Sequence, residues 1–106
     1  MPDKLVILKD LKDNLQKQYH DCLKNVILFG SQAKNFATEN SDYDVLILHD
    51  KKYTSGDEND LLDICYDIDL KYNIIIDAHL LSIQKLSTLR ARQPIFTIAL
   101  KSGIYA

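Results

Sequence analysis

Two short apolar runs, residues 26–29 and 45–48, constrain the fold of this chain more than any other feature of its sequence. Apolar runs of four to eight residues bounded by turn signals are typical of buried strands. The first run ends at Gly30-Ser31, as a turn between a strand and a helix does, and Asp42 and Asp44 open the second. The two predicted strands therefore carry a small-residue turn and a carboxylate pair at their ends.

Apolar residues at helical spacing lie on both sides of these strands. Residues 3–20 repeat leucines every three or four positions, and residues 60–71 place apolar side chains on one face. Both segments are predicted helices, and the second has a solvated acidic side made of Asp63, Asp67 and Asp69. A short helix is also predicted from Ser31 to residue 36, capped by the serine.

The remainder of the chain supplies a third strand and two more helices. Residues 51–59 contain Thr-Ser-Gly-Asp and predict a loop, and the apolar residues 74–81 predict a strand. Ser82 is a predicted helix cap, and Pro94 suits the first turn of a last helix that stops at Gly103. The expected fold is α/β (α+β), a small mixed sheet of about three strands packed with helices.

Bulk composition excludes several classes of function. A length of 106 residues fits one domain, 1–106, and 13 basic against 15 acidic side chains argue against dedicated nucleic-acid binding. No apolar stretch has the length of a membrane span or the features of a signal peptide. Cys22 and Cys65 lack metal or redox spacing, so we expect reduced thiols and a cytoplasmic protein.

The carboxylate pair and the turn before it predict a metal–nucleotide site. Residues i and i+2 of a strand share a face about 6.5–7 Å apart, which lets Asp42 and Asp44 hold Mg²⁺ carrying a triphosphate. Gly30 allows close approach of the backbone, and Ser31 and nearby N–H groups bind phosphate. Lys34 is a further phosphate candidate, although a solvated lysine is the commoner case. The alternative for the aspartates is an ordinary polar turn.

A third carboxylate, Asp77, interrupts an apolar run in the third predicted strand. Burying a bare carboxylate there would cost several kcal/mol, which favours a functional role; the alternative is that Asp77 marks the exposed end of the strand. Three converging carboxylates suit two ions about 3.5–4 Å apart that stabilise an in-line displacement. His49 and His79 also follow predicted strands, and both are first interpreted as structural or surface residues.

Gly30-Ser31, ten residues and then Asp42-Tyr43-Asp44 resemble the signature of the minimal nucleotidyltransferases of the DNA polymerase β superfamily. Asp77 stands where that family carries its third carboxylate, and the C-terminal segment from Pro94 also resembles such chains. The resemblance implies two Mg²⁺ or Mn²⁺ ions on Asp42, Asp44 and Asp77, with Asp77 activating the acceptor hydroxyl.

The same resemblance implies that the chain moves AMP from ATP to an acceptor hydroxyl and acts as an antitoxin on a HEPN-domain toxin. Lys34-Asn35 stands where the family often has Arg-Gly. This departure keeps open a catalytically weak antitoxin that neutralises its partner by stoichiometric binding. A small-molecule nucleotidyltransferase is a third alternative, and the acceptor and the oligomeric state, a homo-oligomer included, are left open.

Overall fold

Four strands form one mixed sheet in the computed structural model, which describes residues 4–30, 42–50, 55–83 and 94–106. The strands are β1 (Leu23–Phe29), β2 (Tyr43–His49), β3 (Ile76–Ser82) and β4 (Ile104–Tyr105), in the spatial order β3-β2-β1-β4. β1 pairs antiparallel with β2 and β4, whereas β2 and β3 run parallel. The helices are α1 (Lys4–Tyr19), α2 (Ser55–Tyr72) and α3 (Pro94–Ser102), and a 3₁₀ turn, His20–Cys22, joins α1 to β1.

One face of the sheet is covered by α1 and α2. Alternate residues of a strand point to opposite faces, so Val45 and Ile47 of β2 lie on this side together with Val26 and Leu28 of β1. They pack with the apolar stripes of both helices, in a cluster that includes Leu8, Leu11, Leu15, Leu61, Cys65 and Ile68. The apolar residues that recur at helical spacing in the sequence therefore pack into the larger of the two core clusters.

The opposite face of the sheet carries a smaller apolar cluster and α3. Ile27, Phe29, Leu46, Leu48 and Leu81 are buried there with Ala99. Asp44 has the same strand parity as Leu46, so its side chain belongs to this face, away from α1 and α2.

The connection between α2 and β3 is fixed by Asp69. Asn73 has a positive φ of 56°, and the Ile74 N–H donates to the Asp69 carbonyl at 3.1 Å, which ends the helix as in a Schellman motif. The Asp69 carboxylate accepts the Ile76 N–H at 2.8 Å. The assignment of Asp69 to a solvated acidic side is thus wrong: it is half-buried because it holds the start of β3.

Asp10 ties α1 to the same end of α2. Its carboxylate accepts hydrogen bonds from Lys71 Nζ at 2.6 Å and from the Tyr72 hydroxyl at 2.5 Å. The hydrogen bond from Lys71 is the largest cause that lowers the pKa of Asp10, followed by the one from Tyr72. Helix α1 is therefore anchored next to the turn that leads into β3.

Several elements differ from the sequence prediction, and β1 already begins at Leu23 rather than at residue 26. The predicted loop at 51–59 is wrong from Ser55 onward, because α2 begins there. The third strand begins at Ile76 rather than at residue 74, and β4 is an additional strand that pairs Ile104 with Leu28. The predicted helix after Ser82 lies outside the described residues from position 84 onward, and Ser82 itself ends β3.

Gly103 is required by the close packing of β4 against β1. A Cβ at this position would overlap Ile27 Cγ2 and would lie 2.5 Å from the Ala99 carbonyl oxygen and 3.0 Å from that of Leu28. Backbone oxygens cannot move aside cheaply, so Gly103→Ala should lower the free energy of unfolding by about 1–3 kcal/mol. Urea denaturation measures this loss.

The neighbouring residue provides the matched control. Ser102 is exposed and donates a hydrogen bond from its hydroxyl to the Ile98 carbonyl within α3. Ser102→Ala should change stability by no more than about 0.5 kcal/mol. Equal stability of wild type and Gly103→Ala would contradict the packing described for β4.

Candidate active site

The end of β1 brings Gly30 directly against the carboxylate of Asp44. Phe29 is the antiparallel partner of Asp44, and Gly30 follows with a φ of +77°, a conformation that favours glycine. A Cβ on Gly30 would overlap Asp44 Oδ2 and lie 3.3 Å from its Cγ. The absence of a side chain at Gly30 therefore makes room for the Asp44 carboxylate. This steric requirement is more stringent than the close approach of phosphate to the backbone that the sequence predicts.

The parallel pairing of β2 with β3 places Asp77 beside Asp44. The two residues are direct register partners, and their side chains lie on the sheet face that carries α3. Burial is the largest cause that raises the pKa of Asp44, followed by the negative charge of Asp77. Two acidic groups far apart in the sequence are thus held together in a position that disfavours ionisation of Asp44.

His79 completes this group of side chains. It lies two residues after Asp77, on the same face of β3, and its Nε2 is 3.4 Å from Asp77 Oδ2. Its ring packs on Phe29 with the centroids 5.6 Å apart. The Nε2 atom is buried and has no hydrogen-bond partner in the part of the chain that the structure describes.

The donor set formed by Asp44, Asp77 and His79 fits a divalent cation. One ligand atom from each residue lies within 4.8 Å of the others. Ligand atoms on opposite sides of one ion are about 4.2 Å apart when each bond is about 2.1 Å, so small side-chain rotations would close the group. A cation would also relieve the repulsion that raises the pKa of Asp44 and would give the orphaned Nε2 a partner.

Asp42 lies immediately before β2 and is exposed. Its negative charge raises the pKa of Asp44 and also that of Asp69, although burial is the largest cause in both. Asp42 therefore borders the site without belonging to the group of ligand atoms within 4.8 Å found among the described residues. Ser31 and Lys34 lie outside the described residues, so their predicted phosphate contacts stay predictions.

The structure changes two arguments made from the sequence. Asp77 is 53% exposed near the start of β3, so the argument from a costly buried carboxylate is wrong and its position opposite Asp44 matters instead. The sequence indicates a structural or surface role for His79, but the structure places it in one group with Asp44 and Asp77. The i, i+2 spacing of Asp77 and His79 on one strand was the signal for it.

A mixed α/β fold with paired carboxylates at the strand ends, next to a glycine turn, defines the class of nucleotidyltransferases. The chain belongs to the nucleotidyltransferase domain family, whose model matches residues 7–101. Two relatives in Methanocaldococcus jannaschii are named "Putative protein adenylyltransferase". MJ0604 is 37% identical over 71 residues, covering 67% of this chain and 66% of its own length. MJ0141 is 39% identical over 70 residues, covering 66% of this chain and 71% of its own length.

Solved structures share the fold at low identity. A toxin–antitoxin crystal structure with AMP-PNP has a TM-score of 0.60 at 16% identity, covering 92% of this chain and 70% of that one. A mutant of the MntA–HpeT toxin–antitoxin also reaches 0.60, at 19% identity, covering 100% of this chain and 72% of that one. The expected fold is therefore confirmed, with four strands among the described residues in place of about three.

Within the described residues, every helix is too short or too polar to cross a lipid bilayer.

The raised pKa of Asp44 predicts that neutralising this side chain stabilises the metal-free protein. Because folding raises this pKa above the ordinary 3.8, the ionised carboxylate opposes folding at neutral pH, and the penalty disappears as pH falls through the folded pKa. Asp44→Asn should therefore raise the free energy of unfolding at pH 7 by about 1 kcal/mol. The gain should shrink as pH falls through the folded pKa and vanish well below pH 3.8, where wild-type Asp44 is protonated in both states.

Urea denaturation with EDTA, at pH 7 and pH 3.5, measures this difference. Asp63→Asn is the control, since Asp63 is exposed on α2, and it should change stability by less than about 0.5 kcal/mol. Saturating Mn²⁺ should raise the melting temperature of wild type and leave that of Asp44→Asn unchanged. A loss of stability in metal-free Asp44→Asn at pH 7 would contradict the electrostatic description of the site.

Proposed function

We propose that this chain is a cytoplasmic, metal-dependent nucleotidyltransferase that moves AMP from ATP to a hydroxyl group of a protein partner, a HEPN-type toxin. The names of the M. jannaschii relatives support transfer of adenylate to protein. The similarity of fold to toxin–antitoxin structures, one of them with AMP-PNP, supports the choice of nucleotide and partner. The role of the chain is then that of an antitoxin.

The observation that carries the proposal is the pairing of Asp44 with Asp77 across β2 and β3. Nucleotidyl transfer needs acidic groups that hold divalent ions against a triphosphate, and these two carboxylates share a face at one end of the sheet. Asp42, just outside the strand, is proposed as a further ligand. Divalent ions bound here would neutralise the phosphates and stabilise the charge that develops on the leaving pyrophosphate.

The three carboxylates differ in exposure, and this difference suggests separate roles. Asp44 is half-buried against Gly30, so it holds a fixed position. Asp77 has half of its side chain exposed and is open to an incoming acceptor. We assign to Asp77 the removal of the proton from the acceptor hydroxyl. The hydroxyl oxygen then bonds to the α-phosphorus of ATP, the bond to the pyrophosphate oxygen breaks, and the proton stays on Asp77.

Gly30 and the residues that follow it in the sequence are proposed to bind the triphosphate. Gly30, whose conformation only glycine adopts easily, opens the backbone at the edge of the site. Ser31 and Lys34 follow in the sequence and are proposed as hydrogen-bond and charge partners of the phosphates.

Transfer of label from [α-³²P]ATP to the protein encoded next to this chain, with Mg²⁺ or Mn²⁺, tests the activity. Asp44→Asn and Asp77→Asn should each lower the rate by at least about 10²-fold, because each removes an acidic group that the transfer needs. Asp13→Asn, which removes an exposed carboxylate on α1, should retain the wild-type rate. Equal labelling by wild type and Asp44→Asn would overturn the enzymatic proposal.

A second candidate function, neutralisation of the partner by binding, is favoured by the surface of α2. Leu62, Tyr66 and Leu70 follow at four-residue spacing, with 51%, 60% and 66% of their surface exposed. Side chains at this spacing form one row along a helix, and Asp63 and Asp67 lie beside it. A partner that offers apolar and basic side chains would complement this row.

Substitution in this row separates binding from transfer. Leu70→Glu should weaken the complex with the partner at least about tenfold, because it places a charge in an apolar contact. Asp44→Asn should leave the complex intact while it abolishes labelling. Isothermal titration calorimetry measures the first effect.

Ile98→Glu is the matched control, since Ile98 is 43% exposed on α3, across the sheet from α2. Unchanged affinity in Leu70→Glu would exclude the α2 row as the contact surface. Toxin inhibition by Asp44→Asn at equimolar amounts, equal to that by wild type, would favour neutralisation by binding over modification.

A further inference from the structure

We propose that His79 is a nitrogen ligand of the ion held by Asp44 and Asp77, and that it shifts the preference of this position from Mg²⁺ toward Mn²⁺. The inference deepens the proposed function and rests on its metal dependence. The three side chains come from the same face of two paired strands, which makes the donor set part of the sheet itself.

The position of the imidazole supports ligation. Residues 77 and 79 point to the same face of β3, and His79 Nε2 is 3.4 Å from Asp77 Oδ2. The packing of its ring on Phe29 restricts rotation of the side chain. Within the described residues its buried Nε2 has no hydrogen-bond partner, and a buried polar atom without a partner is costly. A cation between the three side chains would satisfy this atom.

The chemistry of the donor set determines which ion it prefers. Mg²⁺ strongly favours oxygen ligands, keeps several waters and usually takes one or two carboxylates. First-row transition ions accept imidazole nitrogen together with carboxylate oxygen. A group of two carboxylates and one imidazole therefore favours Mn²⁺ over Mg²⁺, whereas a group of carboxylates alone gives no such advantage.

An alternative role for His79 is to position Asp77 without touching the ion. Nε2 and Asp77 Oδ2 are within ion-pair distance, and the positive charge of protonated His79 would lower the pKa of Asp44. A positioning residue would affect Mg²⁺ and Mn²⁺ binding to a similar extent. A ligand changes the ratio of the Mn²⁺ and Mg²⁺ affinities, and its ring nitrogen gives a coupling to bound Mn²⁺ that EPR detects.

The test is metal binding, measured without ATP and without turnover. Mn²⁺ is titrated into wild type and His79→Gln by EPR, and Mg²⁺ affinity is obtained by competition. His79→Gln should lower Mn²⁺ affinity at least about tenfold while Mg²⁺ affinity changes less than about threefold. His20→Asn is the matched control and should change neither affinity. His20 is exposed at the far end of the sheet, and its positive φ of 50° is one that asparagine tolerates.

Pulsed EPR of Mn²⁺ bound to wild type does not depend on the folding of any variant. Coupling to ¹⁴N, replaced by ¹⁵N coupling in protein labelled on histidine, is expected. Bound Mn²⁺ without nitrogen coupling, or an equal affinity ratio in wild type and His79→Gln, would overturn the role of His79 and leave the proposed function standing. Mn²⁺ affinity equal in wild type and Asp44→Asn would overturn both.

Discussion

The register of β2 against β3 is the constraint on which the site depends, because it places Asp44 directly beside Asp77. A slip of one residue would turn Asp77 toward α1 and α2 and leave Asp44 alone on its face. The register is fixed outside the site. The Asp69 carboxylate accepts a hydrogen bond from the N–H of Ile76, the first residue of β3. Tyr43 donates its N–H to the Ile75 carbonyl at 2.8 Å, next to the first register pair of β2 and β3. The end of α2 therefore sets the geometry of a site on the other side of the sheet.

Bringing two carboxylates together beside a buried apolar layer opposes folding, and the rest of the domain compensates for this. The pKa of Asp44 is raised by burial first and by the charge of Asp77 second, so the metal-free site is electrostatically unfavourable at neutral pH. Most of the core lies on the opposite face, where α1 and α2 cover the sheet. This separation lets apolar packing stabilise the fold while the other face keeps a charged group available for a cation.

Strands and helices that contribute to the core were predictable from the sequence, whereas elements defined by tertiary contacts were not. The apolar runs at 26–29 and 45–48 became parts of β1 and β2 because burial selects such runs regardless of their neighbours. β4 has two residues and is formed by backbone pairing with β1, so no local sequence pattern predicts it. The start of α2 at Ser55 was missed because Thr-Ser-Gly-Asp is also an ordinary loop sequence.

Asp77 shows how a correct candidate followed from a partly wrong argument. It was selected because a carboxylate in an apolar run would be costly to bury, yet half of its side chain is exposed near the start of β3. The cost is avoided because the Asp77 carboxylate lies near the start of β3, whereas Leu81, further along the strand, is buried. This end of the strand is also exposed to solvent. The same placement that makes the carboxylate tolerable to the fold therefore makes it accessible, while its neighbour Asp44 is confined by Gly30. Two chemically identical side chains gain different properties because one lies against Gly30 and the other at an exposed strand start.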